Sequence, residues 1–246
     1  MIDRELTVGE SPSVKVGVRS GRVRVEPGEP GMIRVIVDTR DPTFEVIQRG
    51  DAIFASAERG GRADVTVHVP PMTDIEVATA SADLTVVPPV GRLEIASASG
   101  NIGFDTAERL QVKTASGDIR GKAVNGEARC VTASGDIRIR IVDDRADLST
   151  ASGDVTIEQC AGSMSVATLS GDIRVDRLTG PDLNAKSMSG EVRVGIPPRT
   201  RLDLDASSLS GKVSLPSSNP SSEPPERETR VKVRLVSGSL RIVLAD

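Results

Sequence analysis

Four aspartates, Asp118, Asp136, Asp154 and Asp172, recur at intervals of 18 residues, flanked in phase by Asn101 and Glu191. Carboxylates stacked at one phase of a repeat could attract calcium. Calcium-binding β-roll repeats, however, combine a nine-residue period with dense glycine, which this chain lacks. Two places after Asp118, Asp136, Asp172 and Glu191, Arg120, Arg138, Arg174 and Arg193 project from the same face. An alternating ladder of acid and base neutralises itself in solvent. The aspartates are therefore read as a salt-bridged surface ladder, with metal binding the weaker candidate.

Other reactive residues are few. The only histidine, His68, alternates with Val65, Val67 and Val69, so it faces away from their apolar side, and no nucleophile lies beside it in sequence. Cys130 falls on an inward position and Cys160 in a connector, and two such cysteines read as small hydrophobes rather than a redox pair or a disulfide framework. Parallel β-helix enzymes that cleave polysaccharides need carboxylates converging in a cleft of long loops, and sugars stack on aromatic rings. Here the connectors are short, and Trp and Tyr are absent. The reading is no enzyme, with no catalytic, cofactor-binding or firm metal residue.

The elements that carry these residues follow from the repeat. Ser-Gly recurs at Ser99, Ser116, Ser134, Ser152, Ser170, Ser189 and Ser210, with a degenerate Ser81-Ala82 before them, at successive spacings of 18, 17, 18, 18, 18, 19 and 21. Apolar residues sit six and four places before each serine, as at Leu93 and Ile95, and three and five places after, as at Ile137 and Ile139. Alternation on both sides marks two half-buried strands. The phase shifts by one residue across the corner, so Ser-Gly is a bend, where glycine supplies a backbone angle that other residues tolerate poorly. The connectors that follow carry about one apolar residue each, which suggests a short third side.

The fold class predicted is all-β: a right-handed parallel β-solenoid (β-helix) with coils of about 18 residues. In it Ile119, Ile137, Val155 and Ile173 stack in one buried column. Thr79, Ser97, Thr114, Thr132, Thr150, Thr168, Ser187 and Ser208 stack in another, whose hydroxyls are expected to hydrogen-bond up the column and close the corner.

The ends differ from the middle. Residues 1–70 are β-rich without the period and read as an irregular N-terminal cap over the first coil; residues 71–246 hold the repeats. Arg49-Gly50-Asp51 matches an integrin-binding tripeptide but reads as a turn. Residues 216–230, rich in proline and serine, read as a flexible insertion dispensable for folding. After it, Val231, Val233, Leu235, Ser237-Gly238, Leu240 and Ile242 restore the register, so Val231 to Leu244 is expected to be the final coil, with an open edge for self-association or a protein partner.

Repeated Thr-Ala-Ser-Gly-Asp-Ile, at Thr114 to Ile119 and Thr132 to Ile137, with an irregular β-rich start and His68 to Pro71 before the coils, resembles the bacterial putative-adhesin β-strand-repeat family, a domain of unknown function with SGDI-type repeats. The resemblance covers roughly residues 10–245. It implies a β-solenoid linked in some members to the envelope, and no catalytic residues.

Composition narrows the partners. Thirty-one basic residues against 35 acidic ones, interspersed, leave a formal charge of −4. With neither a basic stripe nor stacking aromatics, nucleic acid is not expected. No run of apolar residues reaches a membrane span, and the acidic, polar start is unlike a secretory signal, so a cytoplasmic place is expected. The function expected is a non-enzymatic structural scaffold or interaction module of a bacterium, envelope-associated. The alternatives are a surface adhesin or polysaccharide-binding protein, and then a β-helix carbohydrate-active enzyme.

Overall fold

In the computed structural model the strands on either side of the Ser-Gly corners between Ile119 and Ser189 alternate buried and less buried residues in the phase the repeat predicts. The structure describes residues 1–57, 61–216 and 224–245. They form strands and, among the described residues, no helix. Two compact units divide the chain, Met1–Lys122 and Ala123–Asp246.

The first unit holds β1 (Ile2–Thr7), β2 (Ser13–Pro27), β3 (Met32–Thr39), β4 (Phe44–Arg49), β5 (Ala52–Ala57), β6 (Arg62–Val69), β7 (Asp74–Val86), β8 (Val90–Ser99) and β9 (Ile102–Ser116). Here β2 pairs in parallel with β7 on one side and with β5 and β6 on the other. Parallel pairing continues from β7 to β8 and β9. The irregular residues cover the outer flank in antiparallel fashion: β1 on β3, β3 on β6, and β4 on β5. This is how residues before the repeats shield strand edges that would otherwise stay open.

β10 (Ile119–Val124) spans the boundary in sequence. The second unit holds β11 (Ala128–Ser134), β12 (Ile137–Val142), β13 (Ala146–Ser152), β14 (Val155–Cys160), β15 (Met164–Ser170), β16 (Ile173–Leu178), β17 (Asp182–Ser189), β18 (Val192–Ile196), β19 (Thr200–Ser210), β20 (Val213–Ser214), β21 (Arg227–Ser237) and β22 (Leu240–Leu244). Two parallel ladders run through it. In one, Thr132 lies beside Thr150, Thr150 beside Thr168, and Thr168 beside Ser187. In the other, Ile137 lies beside Val155, Val155 beside Ile173, and Ile173 beside Val192. Ile119, Ile137, Val155 and Ile173 are all fully buried, as expected of a core column. A further column, Val142, Cys160 and Leu178, is buried at the far ends of β12, β14 and β16. Cys160 thus ends a strand facing inward and is not a connector residue; its strand simply runs further than the alternation suggested.

The bend depends on glycine for two reasons. Gly171 has φ of 149°, in the left-handed half of backbone space, and a Cβ there would fall on the carbonyl oxygen of Gly153. Gly153 stands in the same relation to Gly135, and Gly190 to Gly171. The corners are therefore stacked backbone on backbone.

Spatial order departs from chain order at the end of the second unit. β21 lies between β17 and β19, pairing in parallel with both, and β22 lies between β18 and β20. The strands expected to form the final coil are interior, and β19 and β20 are outermost. Hydrophobicity accounts for the exchange. In the doubly flanked slot Val231, Val233, Leu235, Leu240 and Ile242 are buried. In the outer slot Leu202, Leu204 and Ala206 are half-buried and Val213 is exposed. Each aliphatic side chain moved from solvent into the core is worth about 1.5–3 kcal/mol, so the richer strands take the inner place. Residues 217–223 of the expected insertion lie outside the described residues. Its end, Arg227–Arg230, is part of β21, where Thr229 is buried and donates a hydrogen bond from Oγ1 to the Gly180 carbonyl at 3.0 Å. A polar residue on the inward phase concealed that stretch of strand.

Two substitutions test this packing. Ile137→Ala should lower the unfolding free energy by about 2–5 kcal/mol in a denaturant titration, the range for large-to-small changes in a core. Gly171→Ala, which adds a single methyl group, should destabilise clearly, whereas an alanine substitution at a strain-free glycine stabilises slightly.

Candidate functional site

The aspartate ladder is built from the corner outward. Asp136 Oδ1 accepts the Asp154 backbone N–H at 2.9 Å, Asp154 Oδ1 that of Asp172 at 2.8 Å, and Asp172 Oδ1 that of Glu191 at 2.7 Å. The first unit repeats the device: Asp83 accepts from Asn101 N, and Asn101 from Asp118 N. Each side chain thus satisfies a backbone donor that the bend would otherwise leave without a ladder partner. An asparagine serves as well as an aspartate, so the need is for an acceptor rather than a charge. The second oxygens of Asp118 and Asp136 meet Arg120 and Arg138 at 2.6 and 2.7 Å. Arg174 instead turns to Asp176. Among the described residues no three potential ligands converge as they would around a metal ion. The sequence reading had these carboxylates in surface ion pairs; the backbone contacts were invisible to it, since they depend on the corner's shape.

The hydroxyl column behaves differently from expectation. Four of its members turn to corner carbonyls and none to another member: Ser97 Oγ donates to Ser99 O at 2.8 Å, Thr114 Oγ1 to Ser116 O at 3.0 Å, and Thr150 and Ser208 to the Gly135 and Gly238 carbonyls. Thr132, Thr168 and Ser187 hold buried hydroxyl oxygens with no hydrogen-bond partner. Hydroxyls a whole strand spacing apart are too far for a direct bond, so the carbonyl of the bend competes successfully.

His68 is half-buried on β6, beside Arg34 in the pairing register, with Nδ1 3.8 Å from Glu26. Arg34 holds Asp3 through two hydrogen bonds at 2.9 and 2.7 Å, which keeps the Asp3 carboxyl below its usual range. No nucleophile joins the cluster among the residues lining that groove: Glu5, Pro27, Gly28, Glu29, Met32, Arg34 and His68. In the tripeptide turn, Asp51 accepts the Gly9 N–H at 2.7 Å and Arg49 lies over the Phe54 ring. Both charged ends are engaged within the unit. Cys130 and Cys160 are buried, and desolvation pushes their thiols up to about 12 and about 11. Thiols so placed hold almost no thiolate at neutral pH.

What the sequence reading passed over is a row one place before the corner serines. That position is alanine at Ala80, Ala98, Ala115, Ala133 and Ala151, then becomes Leu169, Met188, Leu209 and Val236. In the sheet Leu169 lies against Met188, Met188 against Val236, and Val236 against Leu209, because the flanking residues pair in that register. All four point outward and are exposed, Leu209 by 85%. Lys186 and Arg234 stand beside them, lining a shallow groove with Leu169, Met188 and Val236. The row runs out to β19, which among the described residues has a partner strand on one side only, β21. A change of side-chain size along one column was the sequence signal; the order of the strands was needed to place Leu209 at its outer end. Contiguous apolar surface of this kind marks places where another molecule packs.

The profile of the Toastrack DUF4097 family matches residues 34–242. No curated protein matches the chain. Among solved structures, a putative adhesin from Bacteroides fragilis aligns with 98% of this chain and 96% of its own at 13% identity and a TM-score of 0.51. A putative lipid binding protein from Parabacteroides distasonis aligns over 98% and 96% at 17% identity and a TM-score of 0.52. At those identities the likeness is one of fold.

If the ladder serves as a set of backbone acceptors, Asp154→Asn should be nearly neutral in thermal and denaturant unfolding, while Asp154→Ala should lose about 1 kcal/mol. Loss of stability in Asp154→Asn equal to that in Asp154→Ala would assign the role to charge instead. Neither cysteine should react with a thiol reagent near neutral pH until the protein unfolds, a point that mass spectrometry of labelled native protein checks.

Proposed function

Because this chain belongs to the Toastrack DUF4097 family, we propose that it is a non-enzymatic interaction module of a bacterium, associated with the envelope from the cytoplasmic side. Its scaffold is a right-handed solenoid of coils of about 18 residues, residues 1–70 forming the cap and 71–246 the repeats. The observation that carries the reading is the exposed row Leu169, Met188, Val236 and Leu209 beside the open strand β19. A row of aliphatic side chains on a flat sheet suits an apolar protein surface. It does not suit a glycan, which would call for aromatic platforms, and the chain has three phenylalanines and neither Trp nor Tyr. The groups singled out as reactive give catalysis no support: the corner carboxylates are tied to backbone N–H groups or arginine, and the thiols are buried and protonated.

Affinity capture from bacterial lysate tests the reading, with Met188→Asp as the comparison. The wild-type chain should retain a partner through a high-salt wash, which weakens charge contacts and not apolar ones, and Met188→Asp should lose it while melting at an unchanged temperature. An identical set of captured proteins from both would overturn the assignment to this row. Fractionation of the host, with the chain found solely outside the cell, would favour the surface-adhesin alternative.

A further inference from the structure

We propose that β19 pairs antiparallel with β19 of a second copy of this chain, about a two-fold axis at Leu202. The proposal rests on reading this end of the second unit as an interaction surface and names the occupant of its edge.

β19 lacks several of the devices by which sheets protect an edge. Between Thr200 and Ser210 there is no proline, no lysine and no inward-facing charge. Its inward side chains Leu202, Leu204 and Ala206 remain half-buried, and Val213 and Leu215 beyond the corner are exposed. The first unit gives its non-repeat strands β1, β3 and β4 to covering edges, so the contrast lies within one chain.

Charge selects a second copy and its register. Outward along β19 come Arg201, Asp203, Asp205, Ser207 and Leu209. With the two-fold at Leu202, Arg201 of each copy opposes Asp203 of the other, and Leu202 opposes itself. Moving the axis to Asp203, Leu204 or Asp205 sets aspartate against aspartate. Moving it to Ala206 relieves that repulsion but places the leucines opposite serines. Opposite charges directly across an antiparallel pair stabilise it and like charges destabilise it, so charge favours this register, in which Thr200 to Leu204 of the two copies form the ladder. A two-fold contact uses the same patch on both copies, as an isologous dimer requires. Arg201 and Asp203 also pair with Glu228 and Arg230, at 3.1 and 3.2 Å, but all four side chains are largely exposed and can share partners across the new contact.

Light scattering on the intact chain over about a hundredfold range of concentration tests the dimer. The mass should rise from one chain to two, and Arg201→Asp, which sets aspartate against Asp203 across the contact and alters a largely exposed side chain, should stay monomeric throughout with an unchanged melting curve. Leu202→Cys tests the register: mild oxidation should join two chains covalently, since a residue on the axis meets its own copy and both native cysteines are buried. Leu209→Cys, far from the axis, should not cross-link. A wild-type chain monomeric at every concentration, or a dimer that cross-links through Cys at 209 and not at 202, overturns the proposal. If the monomeric chain still captures a partner that Met188→Asp loses, the dimer is wrong and the interaction-module reading stands.

Discussion

The structure depends on a contact that leaves no room for a side chain: the corner glycine of one strand pair against the corner carbonyl of the next. A Cβ on Gly153, Gly171 or Gly190 would overlap the carbonyl oxygen of the preceding corner glycine, and each of these residues also has a positive φ. Dispersion and hydrogen bonding at such close range exist in one register only. Slipping a strand by a single residue would drive a Cβ into the stack and turn every inward aliphatic toward water. The aspartate or asparagine after Gly100, Gly135, Gly153 and Gly171 then accepts the next backbone N–H, which fixes the bend from outside while the aliphatic columns fix it from within.

This constraint explains why so much of the fold was legible. Ser-Gly-Asp at a fixed interval, with alternation on either side, encodes the bend, the two strands and their parallel stacking, and Ile137, Val155 and Ile173 fall where the pattern puts them. Two things were beyond its reach. The hydroxyl column obeys the geometry of the corner carbonyls, which appears only in three dimensions. The place of β21 between β17 and β19 depends on a competition between equivalent strands, for a repeat specifies how a strand stacks but not which one enters a given slot. Ser210-Gly211 and Ser237-Gly238 satisfy the corner equally, and Gly238 stacks on Gly190 while Gly211 stacks on Gly238. Summed aliphatic burial decides between them.

That exchange also sets the outer end of the candidate site. Interior placement of β21 brings Val236 between Met188 and Leu209, so that the apolar row ends at Leu209 on the edge strand. It leaves β19, the less apolar strand, at the edge with its inward leucines half-covered. The packing rule that completes the core thus exposes the surface most suited to another molecule. The corner carboxylates and the two thiols, by contrast, are consumed by the scaffold: the first by backbone donors and arginines, the second by burial.

Disulfide trapping between outward positions measures the strand order directly. Lys186 of β17 lies beside Arg234 of β21, and Arg234 beside Ser207 of β19. Neighbouring parallel strands are about 4.8 Å apart, within reach of a disulfide, and strands two apart are about twice that, beyond it. Cysteines at 186 and 234 should therefore link on mild oxidation, and cysteines at 186 and 207 should not. The opposite result would place β19 directly against β17 and contradict the account.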